Sequence, residues 1–280
     1  PLLAGANEAT LSTITDAETL AGLLAAEPNI YDDGRNETMP LLTYYNTVQL
    51  FDTFYPLYAK DIWRDGQLNE TACRQFYELL GQIRTGGGAT LKNTAPFDRP
   101  DGTYYHPQNN TEGAFINCLC RAFCSPVYSL NGLGGNFYYA SRVSGANAGE
   151  VKALGTASGT TSIQPVCTVG VNVSTQNPDD AVKFIQTLLS KEVQQQPLYD
   201  GVPVLKSAVL SQWEEGFAQY GTSTSTDIVA VLEGMDPNVP STVLRRAVGA
   251  GAQQYLDGAS LDEAVETARQ ESALWLAEQN

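Results

Sequence analysis

Between Cys167 and Val209 the chain reads CTVGVNVSTQNPDDAVKFIQTLLSKEVQQQPLYDGVPVLKSAV, and the spacing of its apolar residues changes period within a few positions. Cys167, Val169, Val171 and Val173 alternate with Thr168, Gly170, Asn172 and Ser174, which predicts a strand over 167–173 with one buried face. Asn177 then offers a side-chain oxygen as N-cap and Pro178 suits the first helical position. Asp179 and Asp180 place negative charge at the positive helix end. Ala181, Phe184, Ile185, Leu188 and Leu189 supply the buried stripe of a helix over 178–190. A Gly201-Val-Pro-Val-Leu-Lys206 return follows.

Caps place further helices. Thr15 with Glu18 reads as a capping box before Leu20, Leu23 and Leu24, and Pro28 closes that helix. Val48, Phe51, Phe54, Tyr55 and Tyr58 recur at helical spacing, with Pro56 expected to kink or divide the segment. Asn69 caps a helix that turns Cys73, Phe76, Tyr77, Leu80 and Ile83 inward and ends near Arg84. Residues 86–110, rich in Gly, Asn, Asp and Pro, read as a long loop. Ala114–Ile116 reads as a short strand, and Asn131–Asn136 as another loop. Ser241 starts a helix that Gly258 stops. Ser260 with Glu263 boxes the start of the last one, which buries Leu261, Val265, Ala268 and Trp275.

Chemistry is scarce. A net charge of −15 argues against nucleic acid or an anionic membrane surface as partner. No uncharged run reads as a lipid-facing helix, and PLLAGANEAT has neither the basic start nor the apolar run of a signal peptide. The single histidine, His106, excludes a two-histidine metal motif, and no G-x-S-x-G elbow is spelled. Cys118, Cys120 and Cys124 cluster in a C-x-C-x3-C spacing that suits zinc poorly, so small packing residues are the better reading. Gly86-Gly-Gly88 lacks a following Gly-Lys-Ser/Thr, and the Gly132 cluster lacks the third glycine of a dinucleotide fingerprint. No cofactor is therefore expected. Fourteen tyrosines against nine phenylalanines favour surfaces with a flat apolar face and a polar rim, as a sugar ring requires. Tyr44-Tyr45, Tyr104-Tyr105 and Tyr138-Tyr139 are the pairs; packing beneath a loop is their plainer explanation.

The spelling VGVNVST into N-P-x-x-A-x-x-F, then Pro203-Val-Leu-Lys206, resembles the extracellular solute-binding proteins, family 1, of bacterial ABC importers (maltose-binding-protein-like). The closing DPNVPSTVLRRAV and AQQYLDGASLDEAVETARQESALWLAEQ are similar to that family's Pro-Asn-x-Pro segment and final helices, so the resemblance spans about Val166 to Glu278. It implies a periplasmic-binding-protein-like (type II) α/β fold with a mostly helical second lobe, formed by residues 1–160 and 228–280. Residues 161–227 would cross the hinge into an incomplete first lobe, the N-terminal part and export signal having been removed. It implies ligand contacts from Tyr44, Tyr45, Asn46, Arg121, Phe123, Thr242 and Arg245, with Leu244 nearby. The family's Trp is absent from the stretches that carry Arg121 and Arg245, so the ligand is not a malto-oligosaccharide or is held differently. No catalysis is implied. The expected ligand is a small solute, a sugar or oligosaccharide, delivered by a monomer to an ABC permease. The expected location is extracellular, as a cell-surface lipoprotein or periplasmic protein. A secreted carbohydrate-active enzyme with two carboxylates across a cleft stays open as an alternative, as does a surface interaction module on the same fold.

Overall fold

The computed structural model describes residues 2–5, 11–26, 41–42, 47–85, 97–98, 104–105, 111–116, 120–127, 129–144, 149–165, 167–196, 201–237 and 242–278. Its main sheet is antiparallel: β1 (Leu2–Gly5) lies between β6 (Ala122–Ser125) and β7 (Glu150–Ala153). Successive strand side chains point to opposite faces, and here both faces are covered. Leu3, Ala122 and Cys124 enter one core, whereas Leu2, Ala4, Phe123 and Val151 enter the other. On β7, Lys152 points toward the first core and donates its ammonium protons to the carbonyls of Leu11 (2.8 Å) and Ile14, which ties down that turn.

The first core holds α1 (Ala17–Ala26), α2 (Thr47–Ile62), α3 (Glu70–Thr85), α10 (Thr242–Leu256) and α11 (Leu261–Glu278). Phe54, Tyr55, Phe76, Tyr77 and Leu80 fill its centre, as the helical spacing predicts. The Tyr77 hydroxyl donates to the Val248 carbonyl at 2.7 Å. Pro56 sits inside α2 without dividing it. A two-residue hairpin, β2 (Trp63–Arg64) with β3 (Gln67–Leu68), joins α2 to α3. Within 86–110 the described residues form β4 (Phe97–Asp98) and β5 (Tyr104–Tyr105), an antiparallel pair; His106 and the Gly86–Gly88 run lie outside the described residues.

The second core contains α4 (Thr111–Ile116), α5 (Asn131–Ser144), α8 (Lys206–Tyr220) and α9 (Ile228–Glu233). Two expectations change here. Ala114–Ile116 belongs to the helix α4, not to a strand. Asn131–Asn136 is not a loop but the first part of α5, because its glycines let α8 come close. A Cβ at Gly134 would stand 2.2 Å from the Gly216 carbonyl oxygen, and one at Gly216 would stand 2.8 Å from the Asn131 Cα. The helical cost of glycine is outweighed by this backbone approach. Cys120 packs in the second core and Cys124 in the first, on opposite sides of the sheet, and Cys118 lies outside the described residues. No group of three potential metal ligands occurs among the described residues.

The capping expectations hold at Asn69, whose Oδ1 accepts from the Ala72 N–H, and at Ser260 and Glu263, which exchange hydrogen bonds. Gly258 takes the left-handed stop at φ 107°. At α1 the cap is Asp16 rather than Thr15: its Oδ1 accepts the Thr19 N–H at 2.6 Å, and Glu18 instead accepts from Tyr58 Oη and the Ala157 N–H. The Thr19 amide proton, more than any other group, holds the Asp16 carboxyl below its usual range.

The Cys167–Val209 region is half as expected. A helix, α6 (Pro178–Leu188), follows Asn177 with proline in its first turn, although the Asn177 side chain makes no cap hydrogen bond. The strand at 167–173 is not formed. A strand exists only by pairing, and no described backbone pairs with this extended segment; Val169, Val171 and Val173 are 51, 37 and 101% exposed. The stripe of α6 is likewise uncovered, with Phe184 61% exposed and no residue of the helix buried. α7 (Lys191–Gln194) leads to the return loop, where Gln194 Oε1 accepts the Val204 N–H and Gln212 of α8 donates to the Gln196 carbonyl.

Candidate functional site

α2 and α10 lie side by side, and between the first half of α2 and the facing side of α10 is an open groove of about 190 Å³. α2 supplies Thr47, Val48, Phe51 and Asp52, one face of the helix; α10 supplies Arg245, Arg246, Gly249 and Gln253 from its facing side. Val48, 61% exposed, presents the apolar surface of the groove, and Phe51, only 6% exposed, forms its inner wall. Phe51 stacks on Tyr55 at 4.9 Å and has the Arg245 guanidinium 6.0 Å from its ring centre. Gly249 leaves room for that ring, since a Cβ there would stand 3.4 Å from it.

Polar groups surround this wall. Arg245 pairs with Asp52 across the groove, both half-exposed, so each keeps hydrogen-bonding capacity for a ligand. Arg84 of α3 donates to Thr47 Oγ1 at 3.0 Å, bringing a third guanidinium beside the groove. Tyr55, at the base, has its hydroxyl pushed up to about 12 by burial, with the Arg245 charge acting in the opposite direction. The lining therefore offers the Val48 side chain, a carboxylate, guanidinium donors and the side-chain carbonyl of Gln253, whose Nε2 donates to Asp257 Oδ2 at 2.7 Å. That set suits binding a polar, non-planar ligand with one apolar face.

Arg245 is the expected site residue that lines this groove. Tyr44, Tyr45 and Asn46 lie outside the described residues; in the chain they run directly into Thr47. The Thr242 side chain is not described, while its backbone opens α10 one turn before Arg245. Arg121 is exposed and immediately precedes Ala122, whose N–H donates to the Leu41 carbonyl at 2.9 Å, so it stands by the chain that leads to Tyr44. Phe123 is fully buried: it packs on Phe115 at 5.1 Å in the second core and presents no surface to a ligand. Tyr138 and Tyr139 are exposed on α5, edge to face at 5.3 Å, on the side of the second core. Phe51, Asp52, Arg84, Arg246 and Gln253 were missed as site residues. Their signal was the facing pair of i, i+4 rows, which becomes informative once α2 and α10 are known to be neighbours.

No family model matches the chain, and no curated protein matches its sequence. Solved structures do. The maltose/maltodextrin-binding domain MalE from Bdellovibrio bacteriovorus, bound to maltotriose, is similar over 99% of this chain and 70% of its own, at 14% identity and a TM-score of 0.55. A Streptococcus pneumoniae solute-binding protein in complex with the blood group A-trisaccharide aligns over 96% of this chain and 68% of its own, at 10% identity and a TM-score of 0.47. The fold is thus of the periplasmic-binding-protein-like α/β class, largely helical with a small sheet.

Proposed function

We propose that this chain is a carbohydrate-capturing solute-binding protein, serving as the substrate-binding component of an ABC importer. The observation that carries the reading is the α2/α10 groove, where the exposed Val48 and the inner Phe51 wall stand among charged and polar groups. Tyr44, Tyr45 and Asn46 complete its rim in this proposal, with Arg121 and Thr242 beside them, while Arg245 and Asp52 hold sugar hydroxyls. Phe123 is left out as a contact; it supports the strand that follows Arg121. The MalE domain reported above is bound to maltotriose.

Residues 161–227 are proposed as the segment that crosses a hinge and contributes to a further lobe. Ile163 and Pro237 form a parallel bridge, and the Ile163 N–H donates to the Asp236 carbonyl at 2.9 Å, so outgoing and returning chain run side by side. The exposed apolar residues of 167–189 are the surface such a lobe would cover, whereas α8 packs on α5 in the second core. The further partners are an ABC permease and a small sugar or oligosaccharide, with no nucleic acid, and the protein works as a monomer outside the cell, lipid-anchored or periplasmic. No described helix is long and apolar enough to cross a membrane. A glycoside-cleaving enzyme would need two carboxylates held across the cleft; the groove lining contributes Asp52, which is already paired with Arg245.

The test is a thermal-shift and calorimetry screen of this chain against mono- and oligosaccharides. A ligand at about a hundred times its dissociation constant stabilises the fold by roughly 2.7 kcal/mol. A selective shift without sugar breakdown is the expected result. Breakdown would mean an enzyme, and a flat response to every sugar removes the carbohydrate assignment.

A further inference from the structure

The charges around the groove are unlike those of the chain that carries it. The protein has 16 basic residues against 31 acidic ones, yet Arg245 and Arg246 line the groove and Arg84 binds its Thr47, with Asp52 the one acidic residue among the described residues of the lining. α10 has no acidic residue along its length, and the first turns of α2 and α10 carry none. The lining that α10 contributes is therefore basic or neutral throughout. Arg245 is engaged by Asp52, and Arg246 adds a second guanidinium one residue further along the lining. A guanidinium presents N–H groups in a planar fork that matches a carboxylate.

Size narrows the ligand further. The groove holds about 190 Å³, below the roughly 300 Å³ at which pockets for drug-sized ligands begin. It takes one sugar unit with its substituent, and the remainder of a longer ligand extends over the rim. Val48, 61% exposed, supplies the apolar surface for that unit.

Resting on the carbohydrate reading above, we infer that the groove selects acidic carbohydrate: a sugar unit bearing a carboxylate, as in a uronate, with the carboxylate on Arg246 and the shared edge of Arg245. Asp52 holds Arg245 in place from the other side and disfavours an anion placed deeper in the groove.

Calorimetric titration of this chain with digalacturonate, its methyl ester, a neutral galactose disaccharide and acetate tests the inference. The free acid is expected to bind at least about tenfold more tightly than the ester, the size expected of one charge-assisted pair. In Arg246→Gln, on the exposed side of α10, the preference should fall to near unity while the melting temperature stays close to that of the parent protein. Equal binding of acid and ester overturns the acidic preference and leaves the carbohydrate reading standing. Acetate competing as well as the uronate makes the groove a bare anion site and overturns the inference. Failure of every sugar, acidic and neutral, overturns both readings. An unaltered acid-to-ester ratio in Arg246→Gln removes that residue, and with it the proposed geometry.

Discussion

A methyl group added at Gly134 would stand 2.2 Å from the carbonyl oxygen of Gly216, and neither backbone has a flexible end that can swing aside. Gly134→Ala must therefore push α5 and α8 apart, and we expect a loss of about 1–3 kcal/mol, the range for overpacking. Gly132, two residues earlier and exposed, has nothing within 4 Å of its added Cβ. Gly132→Ala should raise stability by about 0.5–1 kcal/mol, because alanine loses less backbone freedom in a helix. Urea unfolding of the two variants checks both signs, and equal effects would mean that α5 and α8 do not touch here. The contrast also explains a misreading: a loop was expected at 131–136 because glycine disfavours helices locally, while the reason for these glycines lies 82 residues away at Gly216. Caps were legible for the opposite reason, since Ser260 and Glu263 need only each other. Thr15 is displaced as the cap by the adjacent Asp16, whose carboxylate accepts the Thr19 amide proton and starts the helix one residue later.

Elements were legible where their partners are near in sequence or where a long apolar stripe leaves one solution, as in α2 and α3. The strand at 167–173 had the right alternation, but alternation specifies a face and not a neighbour. The site was less legible than the fold: Arg245 was found, whereas its counterpart Asp52 lies 193 residues away and belongs to a row that reads as ordinary helix surface. α6 illustrates what an unpartnered element should do. It has eleven residues and none is buried, and isolated helices shorter than about 12–15 residues are marginal in water. Amide exchange across 178–188 in this chain should therefore be at least about a hundredfold faster than across the buried amides of α3. Comparable protection in the two helices would show that α6 is covered in solution by something the chain itself provides. Ser260→Ala tests a helix end in the same spirit: the loss of the reciprocal cap on α11 should cost about 1 kcal/mol, and no change in the urea midpoint would mean that this end frays already.

For the molecule as a whole, the first core makes alkaline pH the sensitive direction. Tyr55 is raised to about 12 and Cys73 to about 11, in both cases chiefly by burial. Tyr77 is raised by burial and then by its neighbour Cys73; Tyr58 is raised by burial and then by the Glu18 carboxylate that accepts its hydroxyl proton. In the unfolded chain the thiol releases its proton near 9 and the tyrosines near 10. Above those values the unfolded state loses protons that the folded state retains, so the equilibrium moves toward unfolding. The stabilisation is fully present below about pH 9, and each group then subtracts about 1.4 kcal/mol per pH unit until its folded value is reached. The urea midpoint should thus be level from about pH 7 to about pH 9 and fall steeply by about pH 11. Tyr77→Phe separates this from general alkaline damage. It removes the hydrogen bond to the Val248 carbonyl and should cost about 1–2 kcal/mol at neutral pH. It also removes one titrating group, so its stability should fall less steeply with pH than that of the parent, by about 1.4 kcal/mol per unit. Parallel pH profiles for the two proteins would mean that Tyr77 keeps an ordinary hydroxyl in the folded state and that the core around it admits water.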